Sequence, residues 1–171
     1  MMWPFMPTSI MVEGARASDA ADLATVHADA FNHHWSSDEL ISMIESDTIR
    51  ALQCRRPATW FRPASLEPKG FVLARVAADE AEILTIAVAK DARGLGLGKA
   101  LMRAIMSDLY ADRIKNLFLE VDATNEAAVA LYCGLKFEEV GERKSYYAPN
   151  KSDGDETLSR PRALVMRADL R

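Results

Sequence analysis

A chain of 171 residues that is 49% hydrophobic and 27% charged carries enough apolar material for one globular domain of ordinary size. Its formal net charge of −4 excludes the broad excess of lysine and arginine that a nucleic-acid or anionic-membrane footprint needs. Two cysteines, Cys54 and Cys133, are too few for a disulfide framework and suit a reducing cytoplasm, and no apolar run approaches membrane-spanning length.

The opening Met1 to Pro7 is apolar, yet Pro4 and Pro7 interrupt it and no basic residue precedes Arg16, so it makes a poor signal peptide. Residues 1–9 are expected to be a flexible leader and residues 10–171 a single domain. Ile10-Met11-Val12 reads as a short strand, and Ser18 to Leu23 as a helix start with acids in its first turn. Leu23, Val26, His27 and Ala30 recur at helical spacing until Asn32-His33-His34 ends the pattern, and Ser36 or Ser37 then caps a second helix. Arg50 to Pro68 holds three prolines and reads as a weak strand followed by surface loop.

Phe71 to Val76 and Ala81 to Ala89 are predicted strands joined by a charged turn at Asp79-Glu80. Leu101, Met102, Ile105, Met106 and Leu109 form one helical stripe. In Asn116 to Asp122, Leu117, Leu119 and Val121 alternate with Phe118, Glu120 and Asp122, the pattern of a strand with one buried face. Glu126 to Leu135 is a predicted helix stopped by Gly134 and Lys136. Phe137 to Tyr147 and Arg162 to Ala168 read as closing antiparallel strands around a polar loop from Pro149 to Pro161, expected to be flexible.

The most informative stretch is the apolar strand Ile83 to Ala89, the turn Arg93-Gly94-Leu95-Gly96-Leu97-Gly98-Lys99, and the helix that opens with Ala100-Leu101-Met102. A glycine-rich turn leaves backbone N–H groups free at a helix N-terminus, where the helix dipole favours an anion. A Walker A loop fails here twice, because Arg93 stands where a glycine is required and Ala100 where serine or threonine is. The dinucleotide fingerprint from Gly94 fails because Lys99 takes the place of its third glycine. What remains is [Q/R]-x-x-G-x-[G/A], matched by Arg93, Gly96 and Gly98; for the loop alone, a tight turn without ligand is the alternative.

On these residues the chain resembles the GNAT superfamily of acyl-CoA-dependent N-acetyltransferases, from about Val12 to Ala168 and most strongly from Glu82 to Tyr147. The resemblance implies an α+β, three-layer α/β/α fold whose central, mostly antiparallel sheet is splayed and flanked by helices. It also implies that Arg93, Gly94, Leu95, Gly96, Leu97, Gly98 and Lys99 hold the pyrophosphate of coenzyme A. A second block continues the likeness through Leu119, Val121, Asn125, Ala128, Leu131 and Tyr132, although Gly134-Leu135-Lys136-Phe137 displaces the glycine that the family places directly before its final aromatic residue.

Taken alone, Asn125 is a helix N-cap and Tyr132 a core tyrosine. The resemblance makes Asn125 a partner of the pantetheine arm, with Thr124 available as a second cap, and Tyr132 the general acid for the departing thiolate. Glu120 is a carboxylate in an apolar strand, costly unless it is hydrogen-bonded, employed, or on a surface-facing side; employed, it is a base for the incoming ammonium. The backbone N–H groups of Ile86, Ala87 and Val88 would receive the developing oxyanion if the strand bulges as it does in the family.

Trp35-Ser36, Asp79 to Val88, Leu119-Glu120-Val121 and Arg143 to Tyr147 are most similar to the RimI-type ribosomal-protein alanine N-acetyltransferases. That likeness implies acetyl-CoA as co-substrate, a protein N-terminal α-amine as acceptor, and a peptide slot framed by Trp35, Tyr146 and Tyr147, residues that alone would read as packing. Pro161-Arg162, the long preceding loop and the apparent insertion from Arg55 to Pro68 depart from the family where an acceptor enters, which leaves a different peptide, a small amine, a polyamine or a lysine open. No metal is expected, since His27, His33 and His34 show no ligand pattern, and a monomer or homodimer is expected without nucleic-acid or membrane partners. An acyl-CoA sensor without turnover is the other class, against which the joint presence of Glu120 and Tyr132 argues.

Overall fold

The computed structural model describes residues 10–58, 62–144 and 162–171; the expected leader, Tyr146, Tyr147 and the whole of the polar loop lie outside the described residues. The elements are β1 (Val12–Gly14), α1 (Ala20–Ala30), α2 (Ser37–Ile44), β2 (Ile49–Arg55), β3 (Pro68–Ala77), β4 (Glu80–Val88), α3 (Leu97–Ala111), β5 (Asn116–Asp122), α4 (Glu126–Gly134), β6 (Glu138–Lys144) and β7 (Arg162–Asp169). The predicted elements are all present. The first strand begins two residues later than expected, at Val12, where pairing with Cys54 of β2 starts.

Local chemistry sets two of the boundaries. Ser36 opens α2 with a capping box: its hydroxyl accepts the Glu39 amide at 3.3 Å, and the Glu39 carboxylate accepts the Ser36 amide at 2.8 Å. At the end of α4, Lys136 takes φ +70°, its amide donates to the Cys133 carbonyl, and the Phe137 amide donates to that of Tyr132, both at 3.0 Å. This is a Schellman ending with lysine at the left-handed position that glycine usually fills. The displaced glycine, Gly134, lies inside the helix.

The seven strands run in the order β1-β2-β3-β4-β5-β7-β6, antiparallel at every junction except β4–β5. That parallel junction pairs only Glu80–Asn116, Ala81–Leu117 and Glu82–Phe118 before the strands part. On one face, α3 and α4 cover a core that includes Leu101, Ile105, Leu117, Leu119 and Tyr132. On the other, α1 and α2 cover Phe71, Leu73, Ala87 and Ala89.

Strand β4 changes phase part-way along. Leu73 of β3 pairs with Thr85 and Ala74 with Ile83, so Leu84 is an extra, bulged residue. Before it, Ala81 and Ile83 face the α3 core; after it, Ile86 and Val88 do so, while Ala87 and Ala89 join the α1–α2 core. The bulge sits where β4 and β5 diverge, and together the two features open a gap in the middle of the sheet.

Candidate active site

Three structural features bear on the site. The first is the turn that follows β4. Gly94 and Gly96 adopt φ +75° and +85°, a left-handed backbone that a residue with Cβ enters only at a cost. Gly96 is the N-cap of α3, which has neither a side-chain cap nor an acid in its first turn. The amides from Gly94 to Lys99 donate to no acceptor among the described residues; the first helical bond runs from Ala100 to the Gly96 carbonyl at 3.0 Å. Unpaired amides at the positive end of a 15-residue helix form a receptor for an anion such as a diphosphate. Arg93 is exposed at its rim and donates through Nε to the Val88 carbonyl at 3.2 Å. Leu95 and Lys99 are also exposed, whereas Leu97 is buried and anchors the helix in the core. A Cβ on Gly98 would only touch Leu131 and Val88 at van der Waals distance, so this glycine matters less for space than for leaving the turn bare.

The second feature is the edge of β4 beyond Leu84. Ala89 donates to the Lys69 carbonyl at 2.9 Å, and the two-residue alternation of the ladder points the Ala87 amide at β3 as well. The amides of Ile86 and Val88 therefore face the gap. Of the three expected oxyanion donors, Ala87 is the one turned away. The expected bulge is present, but it precedes the three residues instead of including them.

The third feature is a pair of side chains on opposite faces of the sheet. Leu119 and Val121 are 2% and 7% exposed, so Glu120 projects from the other face of β5, where it helps line a cavity of about 330 Å³. Its carboxylate pairs with Arg143 of β6 at 3.0 Å. Tyr132 lies on the α4 side, 6% exposed, with its ring centroid 5.8 Å from that of Phe137. Burial pushes the Tyr132 hydroxyl above the usual phenol range, so it keeps its proton at neutral pH. A carboxylate and a protonated phenol thus lie on opposite faces of the sheet.

Other expectations are modified. The Asn125 side-chain oxygen caps α4 by accepting the Ala128 amide at 3.2 Å, leaving only its amide nitrogen for a ligand. Thr124 is not a second cap, because its hydroxyl is drawn back to the Asp122 carboxylate at 2.7 Å. Trp35 stacks on His27 as part of the α1–α2 packing instead of standing free beside a slot. Arg143 was not expected at the site. It reaches Glu120 across β7, because Glu120 pairs with Val165, Val165 with Gly141, and Arg143 lies two residues beyond Gly141. No sequence spacing encodes that neighbourhood. Among the described residues no cluster of His, Cys, Asp and Glu has the arrangement of a metal site, and no helix is long and apolar enough to cross a membrane.

Residues 21–135 match the family model described as Acetyltransferase (GNAT) family, and the chain belongs to that family. Within it, the ribosomal protein bS18-alanine N-acetyltransferase of Escherichia coli (strain K12) is 42% identical over 77 residues, 45% of this chain and 52% of the relative. A mycothiol acetyltransferase of Streptomyces coelicolor is 38% identical over 128 residues, 70% of this chain and 39% of the relative. The chain therefore spans about half the length, or less, of these relatives. The crystal structure of the ribosomal-protein-S18-alanine N-acetyltransferase from Escherichia coli matches with a TM-score of 0.76 at 25% identity, covering 95% of this chain and 94% of that one. The GNAT fold expected from the resemblance is the fold observed.

Proposed function

We propose that this chain transfers an acetyl group from acetyl-CoA to an amine, and that the amine is the N-terminal α-amine of a protein. The observation that carries this reading is the turn of partnerless amides that follows β4, in a sheet whose two faces bear Glu120 and Tyr132. The amides of Gly94 to Lys99, with Arg93, would hold the diphosphate, and Asn125 the arm that follows it. Bound there, acetyl-CoA supplies an acetyl thioester.

Glu120 accepts a proton from the acceptor ammonium, directly or through water, and leaves a nitrogen lone pair free to form the new C–N bond. The amides of Ile86 and Val88 stabilise the oxyanion of the tetrahedral adduct. Tyr132 gives its proton to the sulfur as the C–S bond breaks; the adduct nitrogen loses its remaining extra proton to solvent, and solvent reprotonates the phenolate. An exposed carboxylate is a modest base, which favours an α-amine: at pH 7 about one-tenth of a group with pKa near 8 is already neutral, against fewer than about one in a thousand for a lysine near 10.4.

The match to a bS18-alanine N-acetyltransferase supports a protein N-terminus. The match to a mycothiol acetyltransferase extends further along this chain and supports a second reading, an amine on a small molecule. Release of the CoA thiol against a panel of N-terminal peptides and small amines tests both. Turnover confined to peptides establishes the first, turnover confined to small amines the second, and binding of acetyl-CoA with no turnover on any acceptor would instead mark a sensor.

A further inference from the structure

The cavity beside Glu120 continues away from the gap, past Phe118 to Glu82, Glu80 and Arg75. Glu82 is level with Phe118 across the parallel junction, and Glu120 is the next residue on the same face of β5. A rise of ~3.3 Å per residue and a strand spacing of ~4.8 Å place the Glu82 and Glu120 backbones roughly 8 Å apart.

Their counter-ions are unequal partners. Arg75 meets Glu82 at 2.8 Å and Arg143 meets Glu120 at 3.0 Å, but the arginine side chains are 57% and 74% exposed, against 39% and 35% for the glutamates. Carboxylates and guanidiniums alike line the cavity, but the arginine side chains keep more of their surface in water. Pairs of this kind are screened and weak, and a cation seated in the cavity displaces them at little cost. Glu80 has no ion-pair partner among the described residues. The cavity lining sets three carboxylates against two arginines, and Glu82 and Glu80 are the carboxylates left once Glu120 serves the reacting ammonium.

We propose that Glu82, whose backbone lies roughly 8 Å from that of Glu120, is a specificity-determining residue that receives a second positive charge on the acceptor while Glu120 deprotonates the first. This rests on the acceptor site proposed above and narrows it to dications. Two sources carry that chemistry: an N-terminal residue followed by a basic one, and a short diamine. A neutral or acidic group at the same place leaves Glu82 and Glu80 with nothing better than an arginine.

The test uses the full chain with saturating acetyl-CoA and thiol release as the signal. One arm compares the peptide amides Ala-Lys-Ala, Ala-norleucine-Ala and Ala-Glu-Ala; the other compares 1,5-diaminopentane with pentylamine. The expected result is a preference of roughly fivefold in kcat/KM for the cationic member of one arm, the size of a partly exposed ion pair, and that arm identifies the source. If the peptide arm is the one that responds, it should rank Lys above norleucine above Glu, a reading that needs no variant. Glu82→Gln should bring the cationic preference close to one and Glu82→Asp should keep part of it. Equal rates within both arms, or a preference untouched by Glu82→Gln, overturns the proposal. If Glu120→Gln turns over normally while the ranking persists, the base assignment fails and the second-charge site stands.

Discussion

The Trp35 ring lies parallel to that of His27, centroids 4.8 Å apart and planes 9° from coplanar, while the Trp35 amide donates to His27 Nδ1 at 3.2 Å. A ring nitrogen that accepts a hydrogen bond carries no proton, so the link between α1 and α2 requires neutral histidine. Phe31 and Phe71 close the remaining sides, at centroid distances of 4.7 and 6.1 Å. Burial, and secondarily the charge of His34, holds the His27 pKa below 6.5.

The consequence is a loss of stability on the acid side. A histidine whose folded pKa is depressed stabilises the native state fully above its unfolded pKa of 6.5, and that contribution disappears as pH falls towards the folded value. The urea midpoint should therefore drop between pH 7.5 and pH 5.5. His27→Gln, which costs about 1–3 kcal/mol through the lost stacking and hydrogen bond, should flatten that dependence. An equally steep dependence in the variant would place the titrating group elsewhere.

Removing the proposed acid or base should impair turnover without loosening the nucleotide. Glu120→Gln and Tyr132→Phe should each lower kcat by at least about tenfold, within the usual range for a positioned proton-transfer group. Calorimetric affinity for acetyl-CoA should stay near the wild-type value in both. Wild-type kcat in either variant would remove the role assigned to that residue.

The turn before α3 should respond in the opposite way. Gly96→Glu puts a Cβ on a backbone at φ +85° and a negative charge where the amides await an anion. Acetyl-CoA binding should fall below calorimetric detection while the fold persists by circular dichroism. Gly96→Asn, which tolerates the left-handed conformation, should retain measurable binding. Unchanged affinity in Gly96→Glu would refute the diphosphate cradle.

The lysine that ends α4 offers a stability gain. Lys136 holds φ +70° in an exposed position, so Lys136→Gly removes a backbone penalty of about 1 kcal/mol without deleting a buried contact. The thermal midpoint should rise modestly, and acetylation rates should be unaffected. A lower midpoint would mean that the lysine side chain supports the turn.

Much of this architecture could be read along the chain because its signals are local. The alternation around Glu120, the Ser36 capping box and the bare turn from Gly94 to Gly98 each depend on residues within a few positions of one another. The relations that failed or went unseen depend on register between distant strands. Arg143 reaches Glu120 only because β7 inserts between β5 and β6 with one particular alignment. Ala87 turns its amide away because Leu84, three residues earlier, shifts the phase of β4. Thr124 was the exception at short range: its hydroxyl had two acceptable partners and took the carboxylate two residues back.

The extra residue at Leu84 also divides β4 into two stretches with separate obligations. Upstream, Glu80 and Glu82 look outward and can diversify with whatever amine the protein meets; downstream, Ile86 and Val88 pack under a helical layer and carry the proposed oxyanion donors. Grafting acceptor preference between cousins should therefore succeed with a crossover at that residue, provided its count is preserved. Deleting it would set Ile83 beside Thr85 in regular alternation, so each side chain would keep its face while the local twist that helps part β4 from β5 would be lost.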